Sequence, residues 1–520
     1  MTQLNPKVES PKGLANVAAF GAAWTIAQAV LNKAATLVAM YIIALQLSPD
    51  EFGMAALTLS IGNFLVVLPP LTMSDLMIAE QIGVSERVRL GQRLAIRVGV
   101  ITTIGIIALS PAIASLYSKY PFAMLAGLIM AFSVRPSIEG MAVAPLSKLR
   151  VESRFGVIAL IDGSAQLVAT VIMVALAFMG TGAISLIVPQ VIAIAVRAIC
   201  YRIAVRRTTV NSPDESARSS GAINGLSFRH LLTLGSAQYI HNLLYSLPVL
   251  VLGYFSSEAE TGLYAFAFQF ASQANGIVSC QLGVVLQPIF GKLKGDLVRQ
   301  TSAFLRSIKA ISAIVVPVTL LQAALAQPLF ALVFKPEWQP ACKIFIMLSL
   351  VEAISFVVAP TLALLKSQQK FRVFFLWQII QCAVSLVAFS FAAHYTGGVG
   401  VAVAGAILWA TSLSFAVWFG IHKVGGTLWS AIKVLLVPWT TALPFAGVAW
   451  LASHFLTPFG NWGMGISIFI VGPIVLILSV LATRISQPET YAEFAPIIFR
   501  FLSLPLKSLK AKSLSGNAAE

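Results

Sequence analysis

Residues 462–483 read WGMGISIFIVGPIVLILSVLAT, a run that contains no charged side chain. A helix that crosses the hydrocarbon core of a bilayer needs about 20 predominantly apolar residues. The run is long enough and apolar enough to meet that requirement, so it predicts a transmembrane helix near the carboxyl end of the chain.

Comparable runs recur through the rest of the chain. Hydrophobic residues make up 58% of its 520 residues, charged residues 10%, and the mean hydropathy is +0.87. A soluble domain usually carries about 25% charged residues, so this chain is predicted to be an all-α, polytopic membrane protein with about fourteen transmembrane helices. The predicted spans are 18–46, 53–73, 95–114, 122–146, 156–178, 181–203, 231–254, 262–290, 306–328, 341–365, 373–393, 398–421, 432–453 and 462–483.

The net charge of +16 is explained by the predicted topology and does not indicate a nucleic-acid-binding surface. With the amino terminus inside, and with Lys and Arg in the outermost turns of a span placed with the adjacent loop, the inner segments hold 30 of the 35 Lys and Arg residues. The outer loops hold Lys119, Lys335 and Lys343, and Lys33 and Arg135 lie inside spans. Cytoplasmic loops concentrate positive charge in this way. We therefore expect a multi-pass protein of the cytoplasmic (inner) membrane with both termini cytoplasmic and no nucleic-acid partner.

The longest polar interruption divides the chain in two. Two six-helix halves joined by a cytoplasmic linker are a common transporter plan, with substrate held between the halves; a plain surface loop without symmetry is the alternative. The tail fits a short helix on the inner leaflet, or a disordered segment. The predicted units are a cytoplasmic amino terminus (1–17), a first lobe (18–203), a linker (204–230), a second lobe (231–421), helices 13 and 14 (422–483) and a basic tail (484–520).

Three common metal- or nucleotide-binding motifs are missing from the sequence. The four cysteines are far apart and form no C-x-x-C pair, which argues against a disulfide framework or a zinc site. The sequence also lacks the G-x-x-x-x-G-K-[ST] phosphate loop and the H-E-x-x-H zinc helix. We expect a transporter without cofactor or metal, driven by an ion gradient or the membrane potential, and not an enzyme.

Span 1 carries a cluster of polar side chains in an apolar helix. Lys33 lies near its middle, with Gln28 and Asn32 close by and four residues apart. A charge at the bilayer centre costs about 2.5–3.5 kcal/mol on insertion scales and usually faces a cavity or a partner. Lys33 is therefore either a cation that lines a water-filled lumen and binds an anionic headgroup, or a lysine neutralised by a neighbouring helix.

Spans 4 and 5 carry further charges. Arg135 and Glu139 are four residues apart on one face, with Pro136 predicted to kink the helix between them. They could form an internal salt bridge, or Arg135 could bind substrate. Asp162 and Gln166 form another polar face on span 5, and Asp162 could pair with Arg135 or Lys33.

The second half has fewer such residues. Gln238 and His241 lie in span 7, where His241 is either hydrogen-bonded structure or a proton relay. Glu352 lies in span 10 with no obvious cation nearby, which makes it a candidate protonation site.

Five stretches resemble the Wzx-type polysaccharide flippases of the multidrug/oligosaccharidyl-lipid/polysaccharide exporter superfamily. Residues 47–53 read LSPDEFG and resemble the family's L-S-P-x-E-F-G signature. LSKLR at 146–150 looks like its basic loop, and GLYAFA at 262–267 is similar to its G-x-Y-x-x-A element. Residues 288–296 and 334–341 follow in family order.

The resemblance implies two lobes of six helices around a cavity that opens alternately to each side. It implies a cargo of undecaprenyl-diphosphate-linked oligosaccharide for exopolysaccharide or a related surface polymer. The expected partners are membrane lipid, this lipid-linked substrate, and the polymerase and chain-length or export proteins of the pathway. On this basis the candidates are Lys33 and Arg135 for the diphosphate, Gln28, Asn32, Gln166 and Gln238 for the sugars, and Glu139, Asp162, Glu352 and His241 for ion coupling or structural charge pairing.

Three rival functions differ in their charge patterns. A multidrug or metabolite exporter of the same superfamily would favour acidic cavity residues, and a peptidoglycan-precursor flippase would favour a strongly cationic cavity. A membrane-embedded polymerase or ligase would commonly carry a large outer catalytic loop. The predicted outer loops are short, so this enzymatic alternative is disfavoured.

Overall fold

The computed structural model describes residues 35–65, 86–151, 154–209, 228–273, 295–368 and 370–486, with a few more positions between 275 and 293. Throughout these ranges the chain forms helices and no strand. Each of the fourteen predicted spans falls on helix within them. The all-α, polytopic prediction is therefore confirmed.

We number the helices by the span that each one contains. They are α1 (Ala35–Gln46), α2 (Pro49–Leu65), α3 (Glu86–Leu116), α4 (Phe122–Phe132 and Arg135–Val151), α5 (Phe155–Phe178), α6 (Ile184–Thr209), α7 (Phe228–Phe255), α8 (Glu258–Ala271), α9 (Leu297–Ala324), α10 (Ala341–Ser355 and Val358–Ser367), α11 and α12 (together Phe371–Ile421), α13 (Leu428–Leu456) and α14 (Gly460–Ile466, a π-helical turn Ser467–Val471, and Gly472–Ser486). A short helix, Ala326–Val333, and a turn, Pro336–Trp338, connect α9 to α10.

Eight helical segments in the described ranges are long and apolar enough to cross a membrane. Two of them, Arg372–Val424 and Leu428–Ala482, have 53 and 55 residues. Glycines with positive φ, Gly397 and Gly460, interrupt these two segments, so each contains two crossings. Apolar side chains such as Ile101, Val171 and Phe469 point outward from the bundle, where a bilayer would cover them.

Prolines explain the breaks inside α4 and α10. The second part of α4 begins one residue before Pro136, and the second part of α10 begins two residues before Pro360. A proline lacks the N–H that would continue the helix, and its ring clashes with the carbonyl one turn earlier. The kink predicted at Pro136 is thus present.

The start of α2 is fixed by a reciprocal pair of caps. The Ser48 Oγ accepts from the Glu51 N–H at 3.3 Å, and the Glu51 Oε2 accepts from the Ser48 N–H at 3.0 Å. Pro49 occupies the first helical position, where no N–H is needed. These two hydrogen bonds form a capping box, and they give the Ser and the Glu of the L-S-P-x-E motif a structural role.

Next to the cap, α2 crosses α8 with their backbones in contact. A Cβ atom placed on Gly53 would lie 2.0 Å from the Glu258 carbonyl oxygen. One placed on Gly262 would lie 1.9 Å from the Pro49 carbonyl oxygen. Small residues allow helices in membranes to approach in this way, so the two glycines set the distance between α2 and α8.

Aromatic rings surround this crossing. It lies at the end of the bundle that carries the α1–α2, α7–α8 and α9–α10 connections, and we call this end the closed end. The Phe266 ring lies 4.3 Å from Trp338 and 5.7 Å from Phe52. Phe334 packs on Phe266 at 5.2 Å and on Tyr41 of α1 at 6.4 Å. Motif residues that are far apart in the sequence therefore meet in one cluster.

The remaining helices form two groups. Helices α2 to α6 pack on one another, as do α7 to α12, and α2 joins the groups by packing on α7 and α8. Helices α13 and α14 pack on the outer side of the second group, mainly against α9. This arrangement matches two lobes followed by two additional helices.

We expect Gly262→Ala to lower the melting temperature of the purified protein, because the added methyl group forces α2 and α8 apart. Overpacking of this kind typically costs about 1–3 kcal/mol. Gly127→Ala is the matched control, since a Cβ atom there meets nothing within 4 Å. Equal melting temperatures for the two variants would show that the α2–α8 approach is unimportant for stability.

Candidate substrate and coupling sites

The predicted site residues that the structure describes, together with their polar partners, fall into two separate groups, one in each lobe. The first-lobe group lies on α4, α5 and α6. The second-lobe group lines a cavity between α7, α8, α10, α11 and α12. The two groups differ in how their charges are compensated.

Arg135 is held by two partners at the start of the second part of α4. Its Nε donates to Glu139 Oε1 at 2.7 Å, and its NH1 group donates to Asn63 Oδ1 on α2 at 2.6 Å. The structure thus contains the internal Arg135–Glu139 salt bridge that the sequence left as one of two alternatives. The two side chains remain 27% and 25% exposed, so they are accessible from outside the protein core.

The position of Arg135 is close to the contact between the lobes. Asn63 is followed by Phe64, whose ring stacks on Tyr239 of α7 at 6.2 Å. Tyr239 also donates its hydroxyl hydrogen to the Phe64 carbonyl oxygen. Arg135 is therefore connected through Asn63 to the α2–α7 contact, where a ligand between the lobes would meet it.

Asp162 pairs with α6 rather than with Arg135. Its Oδ1 accepts from the Tyr201 hydroxyl at 2.6 Å and lies 3.7 Å from the Nε of Arg197. Arg197 also donates to Gln166 Oε1 at 3.3 Å. Of the two partners that the sequence offered for Asp162, Lys33 lies outside the described residues and Arg135 pairs with Glu139 instead. Arg197 takes this place because α5 packs against α6 and turns this face toward it.

Part of the predicted substrate site lies outside the described residues. Lys33, Gln28 and Asn32 fall in the undescribed part of span 1. Gln238 lies on α7, but its side chain is not among those described. The roles of these four residues stay predictions.

A cavity of about 350 Å³ lies within the second lobe. Its aromatic side chains include Tyr245, Phe268 and Trp409, and the Tyr245 ring lies 5.7 Å from Trp409 and 6.4 Å from Phe268. Glu352 and His241, both predicted from the sequence, line the same cavity. The structure therefore brings these two residues together in one site.

The donors to Glu352 in the described part of the chain are all neutral. Its Oε2 accepts from Asn275 Nδ2 at 2.7 Å and from the Ser355 hydroxyl at 2.8 Å. Among the described residues no Lys, Arg or His forms an ion pair with it. A carboxylate buried without a cation is costly, so this group needs either a proton or a ligand that supplies positive charge.

His241 is held by the helix that faces it. Its Nδ1 is 2.7 Å from Gln378 Nε2 on α11, and its ring packs edge-on against Tyr245 at 5.3 Å. This contact favours the structural interpretation of His241, in which the ring is positioned by a hydrogen bond. No three His, Cys, Asp or Glu side chains in the described ranges are arranged to bind a metal ion.

Several residues of these sites were not singled out in the sequence. Arg197 was counted with a cytoplasmic loop, although it lies within α6, four residues before Tyr201 on the same face. Asn275 follows Gln269 and Gln273 in span 8, a run of polar residues that could have indicated it. Tyr245 and Trp409 carry no distinguishing pattern, because aromatic residues are common in membrane helices.

Comparison with known proteins gives a family and a relative. The family described as "Polysaccharide biosynthesis protein" matches residues 42–343. The chain is also 24% identical over 369 residues to the succinoglycan biosynthesis transport protein ExoT of Rhizobium meliloti (strain 1021). That alignment covers 70% of this chain and 73% of the relative.

Two solved structures share the fold. The lipid II flippase MurJ in an inward closed conformation is similar with a TM-score of 0.61 and 13% identity, over 90% of this chain and 100% of that one. An inward-facing multidrug resistance transporter of the MATE family is similar with a TM-score of 0.54 and 14% identity, over 77% of this chain and 95% of that one. At these identities the likeness concerns the fold alone.

We expect Arg197→Gln to destabilise the protein, because it leaves Asp162 without its cation, and we expect Asp162→Asn in the same chain to restore stability. The coupling should be on the order of 1 kcal/mol, as for other polar pairs between membrane helices. Melting temperatures of the wild type, both single variants and the double variant measure it. Arg299→Gln is the control, since that side chain is 79% exposed; additive effects at Arg197 and Asp162 would contradict the pairing.

Proposed function

The chain belongs to the polysaccharide biosynthesis protein family, and from that premise we propose that it flips undecaprenyl-diphosphate-linked oligosaccharide repeat units across the cytoplasmic membrane. It is a multi-pass transporter of polysaccharide biosynthesis and not an enzyme. To this transporter class the proposal adds three points: the lipid-linked substrate, an alternating-access mechanism and the membrane in which the protein works.

The meeting of motif residues from both lobes at the closed end is the observation that carries this proposal. Residues 47–53 come from the first lobe, and 262–267 and 334–341 come from the second. Their contact consists of glycine backbone and aromatic packing. Alternating access requires a contact between the lobes that is close in one state and separable in the other, and such packing supports both.

The diphosphate would be recognised by cations of the first lobe. We propose Arg135 and Lys33 for this role, and Gln28, Asn32, Gln166 and Gln238 for the sugars. Arg135 already shares its charge with Glu139, so a diphosphate would compete with that carboxylate for the guanidinium. This leaves Lys33 as the first candidate for the headgroup.

The membrane and orientation follow from the charge distribution. We place the chain in the cytoplasmic membrane with both termini inside, because 30 of its 35 Lys and Arg residues lie in the segments on that side. A periplasmic signal from a reporter fused after Glu520 would contradict this orientation. The polymerase and export proteins of the pathway are the proposed partners.

A multidrug exporter is the second candidate, and one observation favours it. The second-lobe cavity combines a carboxylate, Glu352, with the aromatic side chains of Tyr245, Phe268 and Trp409. Lipophilic cations are bound by such groups through charge and cation–π attraction. The cationic residues of the first lobe favour the flippase instead.

Deletion of the gene should abolish one surface or secreted polysaccharide, and the lipid-linked repeat unit should accumulate on the inner leaflet. Polymer assays and extraction of lipid-linked sugars, with a complemented strain as control, measure both effects. Normal polymer with heightened drug sensitivity would support the multidrug exporter. Accumulated peptidoglycan precursor would support a peptidoglycan-precursor flippase.

We propose Glu352 as the coupling group, which takes up and releases a proton during the cycle. Glu352→Gln should insert normally, because the amide oxygen can still accept from Asn275 and Ser355. Polymer output normalised to membrane protein should nevertheless fall at least tenfold. Glu337→Gln, at an exposed position in the α9–α10 connection, is the matched control. Full output from Glu352→Gln would remove Glu352 from the coupling step.

A further inference from the structure

Four lysines lie together at one end of the second lobe. Lys366 is in the last turn of α10, Lys370 immediately precedes α11, Lys423 is in the turn after α12, and Lys433 is in the second turn of α13. Because α10 ends where α11 begins, and α12 ends where α13 begins, these positions share one end of the helices. It is the end opposite the closed end.

One of the lysines lies on an aromatic ring and is close enough to a second lysine to be affected by its charge. The Lys370 Nζ lies over the Phe419 ring, 4.4 Å from its centre. Burial, and then the positive charge of Lys423, lower the pKa of Lys370 to about 8. An arrangement that brings two ammonium groups together is unfavourable unless an anion lies between them.

The described part of the chain supplies no such anion. None of the four lysines forms an ion pair there, and Asp296, at the start of α9, already pairs with Arg299 at 3.3 Å. The positive charge at this end is therefore available to a ligand.

An apolar groove of about 320 Å³ runs along the same helices. It lies between α10, α12 and α13, and its lining includes Ile354, Phe415, Leu428, Leu435 and Trp439. From Leu428 to Trp439 the groove follows about 16 Å of helix at a rise of about 1.5 Å per residue. One leaflet of a hydrocarbon core about 30 Å thick has nearly this depth.

Aromatic contacts connect the groove to the lysines. The Phe415 ring lies 6.5 Å from Trp418, and the Trp418 ring lies 5.4 Å from His422, the residue before Lys423. The Lys433 Nζ lies 5.7 Å over the ring of Trp429. Tryptophans and lysines together are typical of the level where lipid headgroups meet water.

We propose that this groove and its lysines bind one anionic phospholipid of the surrounding membrane, with an acyl chain along α13 and the phosphate between Lys370 and Lys423. The occupant is a resident lipid rather than the transported one, because the groove is built by α10, α12 and α13. The contact between the lobes is built by α2 with α7 and α8.

Native mass spectrometry of the full-length protein tests this directly. The detergent-purified chain is mixed with dioleoylphosphatidylglycerol or, separately, with zwitterionic dioleoylphosphatidylcholine. The double variant Lys370→Gln with Lys423→Gln should retain phosphatidylglycerol about thirtyfold less well than the wild type, given the attraction that each lysine near a membrane surface contributes. Lys335→Gln with Lys343→Gln removes two exposed lysines from the other end and should retain it normally.

Two further variants separate charge from packing. Lys370→Arg with Lys423→Arg should retain phosphatidylglycerol, which also shows that changes at these positions leave the protein folded. Ser414→Trp fills the groove and should lower retention while the lysines are intact. These measurements involve no transport assay, so their outcome is independent of the proposed function.

Three outcomes would overturn the proposal. The first is equal retention of phosphatidylglycerol by the wild type and the glutamine double variant. The second is equal retention of phosphatidylcholine and phosphatidylglycerol by the wild type. The third is displacement of phosphatidylglycerol by an equimolar polyprenyl phosphate, which would place the groove on the path of the transported lipid.

Discussion

The close approach of α2 and α8 at Gly53 and Gly262 is the contact on which the arrangement of the two lobes depends. A side chain at either glycine would collide with a backbone carbonyl of the other helix. The capping box at Ser48 fixes where α2 begins and so decides which of its residues faces α8. Phe52, next to Gly53, then reaches Phe266 and Trp338. A short motif thus sets the distance and the register between the lobes.

The same contact has physical consequences for a transporter. Glycine backbone and aromatic rings attract each other mainly by dispersion and packing, which act only at short range. Once the lobes separate by a few ångströms, little attraction remains to oppose further opening. A close but short-range contact at one end therefore suits a protein that alternates between two states. An extended network of ion pairs would be harder to break in a membrane.

Local features of the sequence predicted the helices well. The side-chain contacts between helices were harder to predict from the sequence. Apolar runs predicted the spans, and Pro136 predicted a break in α4, because hydropathy and proline geometry act within one segment. The partner of Asp162 depends on how α5 turns toward α6, and hydropathy does not encode that rotation. Arg197 was therefore missed, as was Asn275 beside Glu352. The undescribed part of span 1 leaves Lys33 as a prediction.

The two lobes compensate the charges of their helices differently, and this difference bears on the mechanism. In the first lobe Arg135 and Arg197 each have a carboxylate partner, so the local charge is balanced within the protein. In the second lobe the described donors to Glu352 are all neutral, so no described side chain balances its charge. A proton that enters the cavity would change the second lobe without disturbing the pairs of the first. Under the proposed function, energy input and headgroup recognition would then reside in different lobes, and the α2–α8 crossing would connect them.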